Sequence, residues 1–263
     1  MDRLDAAQIK LPGIDVRVVA VCDSTNTVLI QEKHLSSPVL LAAEEQTAGR
    51  GRRGRRWHGV PGRDIAFSLA RRIVRPAREL GALSLVAGVA AAKALRACGV
   101  GEAALKWPND LVVGDAKLGG ILVETRSQGG SSLAVIGIGI NFESKPGLQR
   151  RLRRRIASVA DLVSPAPSRN KVIQKIVLEL LEALDAFEAR GFDAAREEWL
   201  ALHAHAGQRL RVRLANGRML TGIAAGLADD GCLHLQTRRG LRAVRSGRVV
   251  SARAALAPRA RTA

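Results

Sequence analysis

The pattern of apolar and polar positions changes period twice along the chain. Residues 14–22 (Ile-Asp-Val-Arg-Val-Val-Ala-Val-Cys) are β-branched and partly alternating, which predicts a first strand. Asp23-Ser24-Thr25-Asn26 supplies N-cap side chains and predicts a short helix to about residue 34. Pro38 to Ala43 reads as a buried strand, and 44–63 as a long irregular segment. Ile65, Phe67 and Leu69 alternate with small residues and predict a further strand. From Leu80 to Cys98 the chain is apolar on nearly every face, the mark of a helix covered on several sides. Strand-like runs follow near Leu105, at 111–113, at 118–125 and at 133–141. Residues 171–190 then carry Val172, Ile173, Ile176, Val177, Leu180, Leu184 and Phe187 at helical spacing. A second helix is expected over 193–204. After Gly207 the texture is all β, with Leu210, Val212 and Leu214 alternating with arginines and turn signals at Asn216-Gly217, Asp230-Gly231, Arg239-Gly240 and Ser246-Gly247. The boundary falls at 206, giving units of 1–206 and 207–263.

Composition narrows the class. Apolar residues make up 47% and charged residues 25% of 263, ordinary globular usage that argues against a disordered chain. Three cysteines, Cys22, Cys98 and Cys232, are scattered and odd in number, so a disulfide framework is not expected and a reducing cytoplasm is. The longest uncharged stretch, Ser127 to Phe142, falls short of the about 20 apolar residues a membrane span needs, so no membrane association is expected. Lys plus Arg number 42 against 24 acids, a net charge of +18 that points to anionic partners.

Gly49-Arg50-Gly51-Arg52-Arg53-Gly54-Arg55-Arg56-Trp57 is the most unusual segment. It matches G-x-G-x-x-G, but Trp57, His58, Gly59, Pro61 and Gly62 cannot continue as the helix a dinucleotide fingerprint requires. A P-loop also fails, since no Gly-Lys-Ser/Thr follows. What remains is a mobile loop whose backbone N–H groups approach an anion and whose guanidiniums clamp it, or else a solvated basic loop or a nucleic-acid patch.

Lys106-Trp107-Pro108-Asn109-Asp110 reads as a strand ending in a turn, whose polar trio can hold a base, a ribose or a metal-bound phosphate, or can simply cap the turn. Lys117 precedes Gly119-Gly120 at the start of an apolar strand, where a lysine is a solvated strand end or a point charge for a phosphate. Gly137-Ile138-Gly139-Ile140-Asn141 is a strand with two side chains removed, leaving room for a flat ligand.

Together these segments, with Ser24-Thr25-Asn26 and Glu45 to Trp57, resemble the biotin–protein ligases in their short form, without an N-terminal DNA-binding domain. Order and spacing agree over residues 20–145. The resemblance implies an α+β fold: a central mixed β-sheet flanked by helices, class II synthetase-like, with a small C-terminal SH3-like β-barrel. It implies an enzyme that converts biotin and ATP to biotinyl-5′-AMP and pyrophosphate, then passes biotin to a lysine of a biotin carboxyl carrier protein such as that of acetyl-CoA carboxylase. Carried over position by position, Ser24, Thr25, Asn26, Gln46, Gly119 and Gly139 are biotin contacts, and Arg50, Gly51 and Arg52 form the loop that closes over biotin and the adenylate phosphate. Lys117 bridges biotin and phosphate, so Lys117, Arg52 and Arg50 carry the catalysis. Arg52, Trp57, Asn109, Asp110, Lys117 and Asn141 lie on the ATP side, with Mg²⁺ as the expected companion and Asp110 the one candidate ligand to it. No dedicated metal site is assigned. The resemblance admits a homodimer.

Two departures stand out: Asp64-Ile65-Ala66-Phe67 replaces the family's aromatic strand after the loop, and the arginine run at 150–155 is no family feature. His203 and His205, two apart on a helix, would face different sides and make no metal pair. Other readings stay open: a lipoate- or octanoyl-transferring enzyme of the same architecture, and a basic nucleic-acid-binding protein. The second lacks the aromatic platforms of single-strand binders, with only 3% aromatics in the chain, and no sequence-specific nucleic-acid partner is expected.

Overall fold

The computed structural model describes residues 2–35, 38–144, 146–152 and 155–254. Arg153 and Arg154 of the arginine run, and the last nine residues of the C-terminal unit, lie outside this set.

A seven-stranded sheet occupies the first part. Its strands are β1 (Asp15–Cys22), β2 (Val39–Gln46), β3 (Ile65–Ile73), β4 (Ala104–Lys106), β5 (Asp110–Val113), β6 (Ala116–Gln128) and β7 (Ser131–Ile140), in the spatial order β1-β2-β3-β7-β6-β5-β4. Only β1 and β2 run parallel; every other neighbouring pair is antiparallel, so the sheet is mixed as expected.

Strand alternation gives this sheet two different faces. Leu40, Ala42, Phe67, Leu69, Ile136, Ile138 and Ile140 point into the main core, where α2 (Leu83–Ala97) and α5 (Arg169–Arg190) pack on them. Val39, Leu41, Ala70, Leu133 and Val135 point the other way and meet Leu29 of α1 (Thr25–Gln31). Gly137 and Gly139 continue that second row, so the chain fills one face with isoleucine while leaving the other bare.

The helices follow from their sequences. Ser168 caps α5, accepting a 3.1 Å bond from the Lys171 N–H, and the predicted apolar stripe is the buried one. Gly191, at φ +67°, ends it in a conformation that favours glycine. α1 stops at Gln31, three residues before the expected end, and Ser24 at its N-cap makes no side-chain capping bond. Two short helices were not read from the sequence, α3 (Pro146–Leu152) and α4 (Val159–Leu162). The stretch Leu80–Ala97 is long and apolar enough to cross a membrane, yet 72% of it is buried inside the protein, which is what a core helix requires.

α6 spans Asp193–Ala201, so His203 and His205 fall beyond it rather than on a helix. Both are buried, with rings 6.2 Å apart edge to face, and His203 stacks on Trp199 at 4.6 Å. Burial, with a smaller push from His205, lowers the His203 pKa to about 4. The unfolded chain takes up that proton near pH 6.5 and the folded chain only near pH 4, so stability is lost as pH falls through this window, by about 3 kcal/mol in all. Replacing His203 with Gln should flatten the decline in denaturant midpoint between these pH values; an unchanged decline would place its origin elsewhere.

The C-terminal strands β8 (Arg209–Leu214), β9 (Met219–Leu227), β10 (Leu233–Thr237), β11 (Gly240–Val244) and β12 (Gly247–Arg253) form an antiparallel sheet ordered β11-β10-β9-β8-β12. Among the described residues no pairing joins β11 to β12, so the expected barrel is an open five-stranded sheet. Its inner residues, Leu210, Val212, Leu233 and Leu235, share one continuous core with the first unit. Gly231 presses on Leu85 and Ala82, and its carbonyl accepts a 3.2 Å bond from the Trp107 indole N–H.

Candidate functional site

A cavity of about 390 Å³ opens on the α1 face of the large sheet, walled by the Gly-Arg loop, the Lys106–Asp110 turn and the β12 edge. Its floor follows from pairing register. Gly120 of β6 lies opposite Gly139 of β7, and Leu122 opposite Gly137, so three glycines clear one patch of the face. Glycine is required at two of them because other side chains lie over the strand: a Cβ on Gly137 would come within 2.2 Å of Asn26 Oδ1, and one on Gly139 within 2.5 Å of the Trp57 indole.

One expected residue is displaced. Gly119 does not line the cavity; a side chain there would strike the Gly139 carbonyl, Ile140 and Leu111. The cause is a bulge, since β5 pairs Val112 with Lys117 but Leu111 with Gly119. The extra residue turns Lys117 and Gly120 to the site and Gly119 away from it. The other expected residues, Ser24, Thr25, Asn26, Gln46, Arg50, Gly51, Arg52, Trp57, Asn109, Asp110, Lys117, Gly139 and Asn141, all line the cavity.

At the start of α1 a chain of hydrogen bonds fixes the polar wall. The Thr25 N–H donates to Gln46 Oε1 at 2.9 Å, and Thr25 Oγ1 lies 2.7 Å from Ser68 Oγ. Ser68 donates to Asn26 Oδ1 at 2.6 Å, which spends its single proton, and the one proton of Thr25 Oγ1 is shared between the Ser68 oxygen and Gln46 Oε1, 3.2 Å away. Asn26 Nδ2 then donates to the Leu122 carbonyl at 3.1 Å and to Glu124 Oε2 at 2.9 Å. Each amide is thereby oriented, and no rotation of one is possible without breaking the next. Ser68, fully buried, and Glu124 were not singled out from the sequence; nothing local marks a serine in β3 or a glutamate in β6 as members of this chain.

The cationic side is built differently. The loop folds back on itself: the Trp57 N–H donates to the Gly49 carbonyl at 2.9 Å and the Gly51 N–H to the Arg55 carbonyl at 2.6 Å. Arg53 takes a left-handed φ of 58° and its Nη2 reaches Ser246 of the C-terminal sheet at 2.9 Å. Arg50 pairs with Glu124 at 2.5 Å. Burial, followed by the repulsion of Arg53, lowers the Arg52 pKa, with Asp110 acting in the opposite sense. That is the state of a guanidinium with little counter-charge nearby.

Lys117 is anchored through its backbone, which donates to the Arg155 carbonyl at 3.1 Å and accepts from Ala157 at 3.0 Å. Its Nζ forms a short ion pair with Asp110 and lies 5.7 Å from the centre of the Trp57 ring. Glycine at 120 is what leaves room for it, since a Cβ there would sit 3.0 Å from Nζ. Asn109 and Asn141 hold the frame, Asn109 Nδ2 on the Ile121 carbonyl at 2.7 Å and Asn141 Nδ2 on the Lys117 carbonyl at 2.9 Å. Trp57 covers the glycine patch, and its buried Nε1 has no hydrogen-bond partner.

No group of three or more His, Cys, Asp or Glu suited to a metal occurs among the described residues. The thiols are poor nucleophiles, with burial raising Cys22 and Cys232 to about 11. The arrangement is therefore a narrow uncharged slot with amides at one end and guanidinium and ammonium groups at the other.

Comparison with known proteins bears on what fills it. Residues 18–141 match the family model described as Biotin/lipoate A/B protein ligase family, and residues 205–250 match Biotin protein ligase C terminal domain. The chain is 35% identical over 242 residues to the Bifunctional ligase/repressor BirA of Escherichia coli, covering 89% of this chain and 73% of that protein. It is 34% identical over 243 residues to the Biotin--[acetyl-CoA-carboxylase] ligase of Mycobacterium tuberculosis, covering 90% and 88%. Among solved structures, the biotin protein ligase from Aquifex aeolicus in complex with biotin and ATP superposes with a TM-score of 0.77 at 25% identity, covering 92% of this chain and 99% of that one.

Proposed function

The chain belongs to the Biotin/lipoate A/B protein ligase family, and we propose that it uses ATP to join biotin, by way of biotinyl-5′-adenylate, to a lysine of a biotin carrier protein such as that of acetyl-CoA carboxylase. The observation that carries this reading is the bare strip of Gly120, Gly137 and Gly139 running from the Asn26 amide toward Arg50, Arg52 and Lys117. A flat, uncharged bicyclic head with hydrogen-bonding edges fits the strip, and an anionic tail fits the cations.

The chemistry asks for this layout. In the first step a carboxylate oxygen of biotin attacks the α-phosphorus of ATP, a P–O bond forms, and the bond to pyrophosphate breaks. Two anions must meet, and the five-coordinate phosphorus carries extra negative charge. Lys117, Arg50 and Arg52 supply positive charge at that point, in a partly buried site where it counts for more than in water. Release of Arg50 from Glu124 and of Lys117 from Asp110 frees both cations for the substrate. Trp57 moves off the glycine strip and offers its face to the adenine, with its indole N–H free to donate. Ser24, Thr25, Asn26 and Gln46 bind the biotin head.

Magnesium fits this site as a companion of the triphosphate. Asp110 and Asp115 both line the cavity, and Mg²⁺ is held through one or two carboxylates plus phosphate oxygens rather than by a protein cage. It would neutralise charge on the departing pyrophosphate.

In the second step the carrier lysine, as the free amine, attacks the carbonyl carbon of the mixed anhydride; a C–N bond forms, AMP leaves with the C–O bond, and the amine gives up a proton. About one lysine in a thousand is neutral at physiological pH, so holding the incoming amine against the anhydride is the enzyme's main contribution. No covalent enzyme intermediate is needed. The three free, thiol-form cysteines accord with a cytoplasmic protein.

Substrate choice tests the reading. Biotin should drive conversion of Mg-ATP to AMP and pyrophosphate, while lipoate and octanoate should not. Pyrophosphate release driven by lipoate and not by biotin would transfer the chain to the lipoate branch of the family.

A further inference from the structure

The C-terminal sheet carries charge that the ligation chemistry leaves unused. Between residues 207 and 254 there are ten arginines and two acids, Asp229 and Asp230. Both acids sit in one turn and pair with Arg196 and Arg245. On β8, Arg209, Arg211 and Arg213 alternate with buried Leu210 and Val212, so all three point outward. Across the ladder, Arg253 stands opposite Arg209, and Arg248 opposite Arg213. A bulge between Val249 and Ser251 keeps both β12 arginines on the same outer face. None of these five forms an ion pair with another described residue.

Like charges directly opposite on a ladder destabilise a sheet. Here it happens twice on one pair of strands, with no acid interleaved, so the protein's own charges leave the face uncompensated, and a polyanion offsets it beyond what water and salt screen. The geometry selects its kind. Side chains two apart on a strand are about 6.8 Å apart, and the two strands about 4.8 Å, giving a flat cationic strip about 14 Å long. A flat strip of this kind can follow the backbone of a duplex, which carries one charge per about 1.7 Å of helix axis over its two strands. Residues 207–254 contain no Phe, Trp or Tyr, so there is no platform on which unpaired bases could stack and no aromatic anchor for a protein partner.

We propose that this outer face of β8 and β12 binds the phosphate backbone of double-stranded nucleic acid without reading its sequence. It is a second surface, outside the ligation site except at Arg248, which also lines the cavity mouth.

The test uses the full chain, a short labelled duplex and fluorescence anisotropy over a range of salt. With five contacts, log K should fall against log salt with a slope of about −4.5. The variant R209Q/R211Q/R253Q removes three contacts, leaves the cavity lining intact, and should make the slope shallower by about 2.7. Two unrelated duplex sequences should bind alike. Biotin-dependent pyrophosphate release should be unchanged in the variant, which reports that it has folded. A slope the same in variant and wild type would overturn the proposal. So would a raised KM for an acidic carrier domain with duplex affinity unchanged, which would give the face to a protein, or binding to anionic vesicles with none to the duplex.

Discussion

Replacing Lys117 with Ala should slow biotin-dependent pyrophosphate release by about 10²–10³-fold, the usual consequence of losing one preorganised donor to a developing anion, about 2.7–4 kcal/mol. The structure supplies the preorganisation. The lysine backbone is strapped between Arg155 and Ala157, glycine at 120 leaves its Nζ room beside the strip, and the side chain is only partly exposed. Because the charge is needed most at the five-coordinate phosphorus, kcat should fall more than KM for biotin rises. Fold should survive, since Lys117 is held by main-chain bonds the substitution retains. Release within a few-fold of wild type from a folded variant would remove Lys117 from the first step.

Gly137 to Ala should act on binding instead. One methyl group at this position would overlap Asn26 Oδ1, which lies 2.2 Å from where the Cβ would sit. Asn26 cannot swing aside without cost: it accepts from Ser68 and donates to the Leu122 carbonyl and to Glu124. Displacing it leaves a buried hydroxyl or carbonyl unpaired, at about 1–3 kcal/mol. KM for biotin should rise by roughly 5–150-fold, with KM for ATP little changed. Isothermal titration with biotin alone gives the same comparison without catalysis. Unaltered biotin affinity would show that the Asn26 chain does not form the biotin end of the slot.

Much of this site could be read from residues alone because strand alternation is a local rule. Gly-Ile-Gly-Ile in β7 announces one filled face and one bare face, and that is how the strand sits between the main core and α1. The arginine–glycine loop and the Lys106–Asp110 turn were visible as oddities for the same reason: each breaks the pattern around it. The misplacement of Gly119 comes from a bulge, one extra residue in β6 against β5, which depends on a partner strand and leaves no local signature. Ser68 and Glu124 escaped because their roles are contacts across 42 and 98 residues of sequence. Apolar spacing that continues past Ala201 reads as more helix at the two histidines, whereas the chain there turns so that His203 bridges to Leu105 at the β4 edge. Barrel closure was expected from the resemblance; alternation within each strand reports which face is buried and is silent on which edges meet.

One site both activates biotin and delivers it to a carrier lysine in this proposal. The most direct measurement mixes the protein with Mg-ATP, biotin and a purified biotin carrier domain, and follows the carrier's intact mass with tandem mass spectrometry of its peptides. The expected product is one biotin per carrier, in amide linkage at a single lysine, dependent on ATP and lost with Lys117→Ala. Carrier left unmodified while lipoate is transferred in a parallel reaction would contradict it.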